Sequence, residues 1–153
     1  MISELDQVNI FMGLTYVQLE NVASFCTRRV YDDGDILIEE GDDRNADLYI
    51  LLHGTVEIVS SSARTTSSEV VLSREDKQVF GEISWLSGDR RTAGVRCNGQ
   101  VEAIRVDGQA LMHYLEQAPE AGFVVMRQIA ILLAQRMSDS NRLLKQLLWN
   151  RDI

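Results

Sequence analysis

Hydrophobic positions along this chain change their period twice. From Thr15 they recur at helical spacing, with Val17, Leu19, Val22, Ala23 and Cys26 following one another. Thr15 is a candidate N-cap, and Gln18 three residues on is its capping-box partner. Residues 3–10 read as a shorter helix, with Gly13 in the break. After Arg29 the helical period gives way to short apolar runs set between glycines 34, 41, 54, 81, 88, 94 and 99. The runs are Ile36–Ile38, Leu48–Leu52, Val56–Val59, Val70–Leu72, Val95–Cys97 and Val101–Val106. In the last third the helical period returns. Asp107 can cap a helix from Gly108 to about Glu116. Pro119 suits the first turn of the next helix, and Glu120 complements its dipole. That helix is expected from 119 to about 149, a length of roughly 46 Å.

Short, evenly spaced strands with turn residues between them predict an antiparallel architecture. The fold expected is mainly β with flanking α. Its centre is a β-roll or jelly-roll barrel of about eight strands, a double-stranded β-helix. One domain spans 1–153, with N-terminal helices over 1–28, the barrel over 29–106 and C-terminal helices over 107–149. The stretch Ser60–Ser68 reads as a polar hairpin tip.

Composition narrows the function. The chain has 153 residues and a net charge of −8. Such an acidic protein is repelled by nucleic-acid backbones and by anionic membranes. Two cysteines, Cys26 and Cys97, form no CxxC pair and suggest buried thiols in a reducing compartment, so a cytoplasmic location is expected. The N-terminus lacks the pattern of a signal peptide, and the longest apolar stretch, Ile129–Ala134, is too short for a membrane span. Enzyme signatures are missing: no G-x-S-x-G elbow accompanies His53 or His113. Asp42, Asp43 and Asp47 miss calcium-loop spacing and read as an exposed loop. No metal site and no cofactor are expected.

The informative segment runs from Phe80 to Ala93. Gly81 permits close approach of a ligand to the backbone. Residues 82–86 can form one helical turn whose free N–H groups face an anion. Arg91 offers a forked, charged donor for phosphate oxygens, and Thr92 adds a hydroxyl. Glu82, out of place beside an anion, makes sense as acceptor from a sugar hydroxyl close to Arg91. Strand parity groups Arg91 with Ala93, Val95 and Cys97, which aims it into the barrel if the strand begins that early.

Gly81-Glu82-Ile83-Ser84, a short linker and Arg91-Thr92-Ala93 together resemble the phosphate-binding cassette of cyclic-nucleotide-binding domains. These occur in the bacterial cyclic AMP receptor protein, in cyclic-nucleotide-dependent kinases and in gated channels. Upstream, Gly34–Asp42 and Leu48–Gly54 are similar to the family's early barrel strands, and the likeness covers about residues 5–148. The resemblance implies that the amides of Gly81, Ile83 and Ser84 surround the cyclic phosphate and ribose. It implies that Glu82 accepts from the ribose 2′-hydroxyl, that Arg91 pairs with the exocyclic phosphate oxygens, and that Thr92 lends its hydroxyl, with Ala93 closing the segment. Trp85 departs from the family's small aliphatic residue.

In the long helix, Ala130, Leu133, Met137, Ser140, Leu144 and Leu147 make a heptad-like seam, with Ile129, Leu132 and Leu143 on a neighbouring face. One face is expected to cover the barrel while the other pairs with a second copy in a homodimer. By position along this helix, the resemblance makes Ser140 and Asn141 the candidates that close over the base. DNA-binding relatives carry a helix-turn-helix domain after this helix. Only four residues follow Trp149 here, so direct DNA binding is not expected. The function expected is a regulatory module, not an enzyme, that binds cyclic AMP (or cyclic GMP) and signals through the C-terminal helix to a protein effector or its own copy. Two alternatives stay open: a ligand-free dimerisation or docking module with the same fold, and a regulatory fragment of a longer kinase or channel chain.

Overall fold

Two strands organise the molecule. The computed structural model describes residues 1–59 and 79–151, with side chains through Trp149. The elements are α1 (Ile2–Leu5), a single 3-10 turn (Asn9–Phe11), α2 (Tyr16–Ala23), β1 (Cys26–Tyr31), β2 (Ile36–Ile38), β3 (Leu48–Val59), β4 (Val79–Phe80), α3 (Glu82–Ser87), β5 (Gly94–Val106), α4 (Gly108–Gln117) and α5 (Pro119–Arg151). All strand pairs are antiparallel. The sheet runs β1–β5–β3–β4, and β2 also pairs with β5. The mainly β, helix-flanked class predicted from the hydrophobic pattern is the fold observed.

The strand count differs, for a physical reason. Leu48–Leu52 and Val56–Val59 are two halves of one 12-residue strand. Val95–Cys97 and Val101–Val106 likewise belong to one 13-residue strand. The β3–β5 register shifts between Leu51 and Thr55, so the ladder bends through irregularities instead of ending at turns. Five strands are thus present among the described residues, against about eight expected. The Ser60–Ser68 tip and the Val70–Leu72 run lie outside the described residues.

Alternation along β3 and β5 separates two cores. Leu48, Ile50, Leu52, Ile104 and Val106 face a core shared with the helices. Tyr49, Leu51, Val101 and Ala103 face the barrel interior with Leu37, Ile38, Val56 and Val95. This explains why Leu48–Leu52 reads as an unbroken apolar run: both faces of the strand are buried.

The caps form as the sequence predicts. Thr15 Oγ1 accepts from the Gln18 N–H at 3.2 Å and Gln18 Oε1 accepts from the Thr15 N–H at 2.8 Å. Asp107 Oδ1 accepts from the Ala110 N–H at 3.0 Å at the start of α4. α5 spans 33 residues, about 50 Å. Its first half buries Ala121, Val125 and Ile129 in the helix-side core, each larger side chain contributing roughly 1.5–3 kcal/mol. From Ala134 through Trp149 every side chain is exposed. The helix therefore changes along its length: the first half packs into the helix-side core, and the second leaves Met137, Leu143, Leu144, Leu147, Leu148 and Trp149 uncovered. None of the described helices is long and apolar enough to cross a membrane.

Candidate functional site

Arg91 is the centre of the site. It is only 4 % exposed. Its Nε donates to the Asn45 carbonyl at 3.0 Å, Nη1 to the Gly81 carbonyl at 3.0 Å and Nη2 to the Asp47 carbonyl at 2.7 Å. Strand parity does not aim it, because β5 begins only at Gly94. The loop is instead laced by its backbone, with the Arg91 N–H donating to the Asp42 carbonyl and the Gly41 N–H to the Arg91 carbonyl. Burial lowers the guanidinium from its ordinary value, with Tyr49, Asp42, Asp47 and Glu82 opposing, and it stays cationic at physiological pH. A guanidinium carries five N–H groups. Three are used by these bonds, one each from Nε, Nη1 and Nη2.

Gly81 is required at its position by a contact within the protein. Its φ is +91°, and a Cβ would lie 2.7 Å from Arg91 Nη1 and 2.9 Å from the Asp47 carbonyl oxygen. The backbone approached closely here is approached by Arg91 itself.

Glu82 opens α3 and is 4 % exposed. Its carboxylate pairs not with Arg91 but with the Arg136 guanidinium of α5, whose Nη2 also donates to the Val79 carbonyl at 3.3 Å. Arg136 is a site residue the sequence reading missed. Its only signal was a cation interrupting the helix between Leu133 and Met137.

These groups surround one cavity of about 600 Å³, within the roughly 300–1,000 Å³ usual for small-molecule sites. Gly81, Glu82, Ile83, Ser84, Arg91, Thr92 and Ala93 all line it, with Ile38, Ile58 and Val95 from the barrel. The fold thus brings all seven predicted cassette residues together. Ser140 and Asn141 are not among its walls. Both are exposed, and Asn141 borders a separate surface hollow with Met137 and Arg142. The α5 residues that do face the cavity are Leu132, Gln135, Arg136 and Asp139. Position along a helix was a poor guide here, since a shift of one residue turns a side chain by about 100°.

Behind the cassette, Trp85 is 5 % exposed, sits in the helix-side core and donates its indole N–H to the Gly108 carbonyl at 2.8 Å. Asp47 departs from the exposed-loop reading. Its Oδ2 accepts from Arg105 Nε at 2.6 Å and its Oδ1 from the Gly108 N–H at 3.0 Å. The described residues hold no cluster of His, Cys, Asp and Glu suited to a metal ion.

An antiparallel barrel with a helix-covered cavity, one buried arginine and one buried glutamate on its wall defines a small-ligand module. The family model of the cyclic nucleotide-binding domain matches residues 28–118, and the chain belongs to that family. It is 28% identical over 137 residues to mouse cyclic nucleotide-gated channel beta-3, covering 88% of this chain and 19% of that protein. This chain therefore spans about a fifth of that relative's length. Among solved structures it resembles a cyclic nucleotide-binding domain from Methylobacillus flagellatus, with a TM-score of 0.77, 19% identity and coverage of 95% of this chain and 81% of that one. It also resembles the Thermus thermophilus catabolite activator protein, with a TM-score of 0.73, 22% identity and coverage of 91% and 62%. At these identities the structural likenesses establish the fold.

Proposed function

We propose that the chain is a regulatory module that takes a cyclic purine nucleotide, cyclic AMP in the first place and cyclic GMP as the other candidate, into the cavity and answers through α5. The observation that carries this reading is Arg91, a buried cation on the cavity wall. Glu82 accepts the ribose 2′-hydroxyl, Thr92 adds a hydroxyl and the amides of the Gly81–Ser84 turn approach the phosphate. The base lies toward α5, where Gln135 and Asp139 supply polar edges. Ser140 and Asn141 reach the base only if α5 rotates or shifts.

Output runs through α5 because it bonds the cassette directly, from Arg136 to Glu82. A ligand that competes for Glu82 biases the helix between two positions. The projecting apolar half of α5 fits a second copy of the chain, making a homodimer. A protein effector is the other candidate occupant. Free thiols at Cys26 and Cys97 suit a reducing compartment, the cytoplasm.

One observation favours the ligand-free docking module instead. Arg91 already spends three of its N–H groups on carbonyls of the chain, and the Glu82 carboxylate is paired with Arg136. Titration calorimetry with cyclic AMP and cyclic GMP separates the two readings. Heat of binding together with a raised melting temperature supports the sensor. No heat and no thermal shift at millimolar nucleotide supports the docking module.

A further inference from the structure

Val8, Asn9, Ile10 and Phe11 form an apolar run with one polar residue inside it. Val8, Ile10 and Phe11 are each at most 1 % exposed and belong to the helix-side core, whereas Asn9 is exposed. The 3-10 turn over Asn9–Phe11 causes the difference. Such a turn advances each residue by about 120°, so Asn9 turns out of the core as its neighbours turn in. The same turn is fixed against α5. A Cβ on Gly13 would lie 3.3 Å from Val124 Cγ1, and Ile10 shares its core with Val125 and Ile129. Asn9 is thereby held on the cavity wall that also carries Leu132, Gln135 and Arg136 of the long helix. Its backbone carbonyl accepts from the Met12 N–H at 3.2 Å. Its side-chain amide makes no hydrogen bond among the described residues, and neither does that of Gln135.

We propose that Asn9 is a specificity-determining residue of the cavity: with Gln135 it reads the edge of the purine base, so the N-terminal turn is part of the ligand site. The assignment rests on the nucleotide reading above. A carboxamide holds an acceptor oxygen and an NH2 donor side by side. Adenine offers the complementary pair, the N6 amino donor and the N7 acceptor, whereas guanine offers two acceptors, O6 and N7, at the same edge. A carboxamide matches the first at both atoms and the second at only one. Arg91 and Glu82 do not make this distinction, since the cyclic phosphate and ribose are common to both nucleotides. Asn9 is also a short side chain on a turn anchored by buried neighbours, so less conformational freedom is lost when the base arrives.

The test is titration calorimetry on the full chain with cyclic AMP, cyclic GMP and the cyclic monophosphate of purine riboside, which lacks the 6-amino group. Asn9→Ala is expected to weaken cyclic AMP about tenfold (roughly 1.4 kcal/mol). Cyclic GMP and the analogue are expected to weaken by no more than about threefold. The melting temperature is expected to stay within about 2 °C, because the side chain is exposed. Loss of the residue and loss of the ligand's amino group are then non-additive, which a merely structural role does not produce. Nitrogen-15 spectra give a second reading. The side-chain NH2 pair of Asn9, assigned by its absence from the Asn9→Ala spectrum, is expected to shift when cyclic AMP is added. If cyclic AMP binds but Asn9→Ala weakens the three ligands equally or not at all, the role of Asn9 is overturned and the nucleotide reading stands. An Asn9 pair unmoved by bound cyclic AMP overturns it likewise. If none of the three ligands binds the unsubstituted protein, the nucleotide reading fails and the role of Asn9 fails with it.

Discussion

Arg136 of α5 and Glu82 of α3 form an ion pair across 54 positions of sequence. Glu82 is buried, whereas Arg136 is 43 % exposed, so the carboxylate depends on the arginine more than the reverse. Truncating Arg136 strands a buried charge, while truncating both removes the demand. Arg136→Met is expected to cost roughly 1–3 kcal/mol of stability, and Glu82→Gln with Arg136→Met less than the sum of the two singles. A double-mutant cycle in urea denaturation reads the difference. Strict additivity would mean that the pair contributes nothing.

Arg91 and its neighbour Arg90 give opposite expectations. Arg90 is 76 % exposed and 3.8 Å from Asp43, itself exposed. Arg90→Ala should change stability by no more than about 0.5 kcal/mol. Arg91→Ala orphans the carbonyls of Asn45, Gly81 and Asp47 and should cost roughly 3 kcal/mol or more. It should also weaken nucleotide binding far more than Arg90→Ala does. Equal effects of the two substitutions, in denaturation and calorimetry alike, would refute the assignment of Arg91.

The projecting half of α5 sets up a clean separation of folding from assembly. Leu144 and Leu147 are more than half exposed. Leu144→Glu or Leu147→Glu should leave the melting of an isolated protomer nearly unchanged and abolish the proposed dimer. Sedimentation velocity measures both states. A monomer in the unsubstituted protein counts against the second copy as occupant.

The two thiols are expected to resist chemistry. Burial pushes Cys26 from the ordinary 9.0 up to about 12. Burial, aided by Asp35 and Asp33, pushes Cys97 up to about 11. Thiolate is the nucleophile, so labelling by a disulfide reagent at pH 8 should be slow in the native state and fast in urea. The sign for stability follows by linkage. Both groups hold their protons more tightly folded than unfolded, so the contribution is complete below about pH 9. It is lost as pH rises toward 11 and 12. Alkaline melting curves of Cys26→Ser and Cys97→Ser should lose this part of the pH dependence.

Local features of the fold were legible because their causes are local. The Thr15–Gln18 capping box, the Asp107 cap, the Pro119 start of α5 and the apolar runs of the barrel each depend on residues within a few positions of one another. The cassette was legible for a related reason: Gly81 to Ala93 lie within thirteen consecutive positions, and the fold needs only to close that loop around one cavity. The strand count was misread at Gly54 and Gly99, since a glycine that bends a continuous strand looks like one that ends it.

What the sequence determined by itself was the class of fold, the two helical flanks and the cassette residues that line one wall of the cavity. Tertiary structure alone decided what each charged group touches. Arg91 rests on carbonyls 44 and 46 positions away, Asp47 on Arg105 and Gly108, and Glu82 on Arg136. It also decided that Leu132, Gln135, Arg136 and Asp139 face the cavity and Ser140 and Asn141 do not. The reason is physical. Backbone propensity and burial periodicity are set by near neighbours. A buried charge takes whichever acceptor the packed chain places within about 3 Å, and that placement exists only once the strands and helices have met.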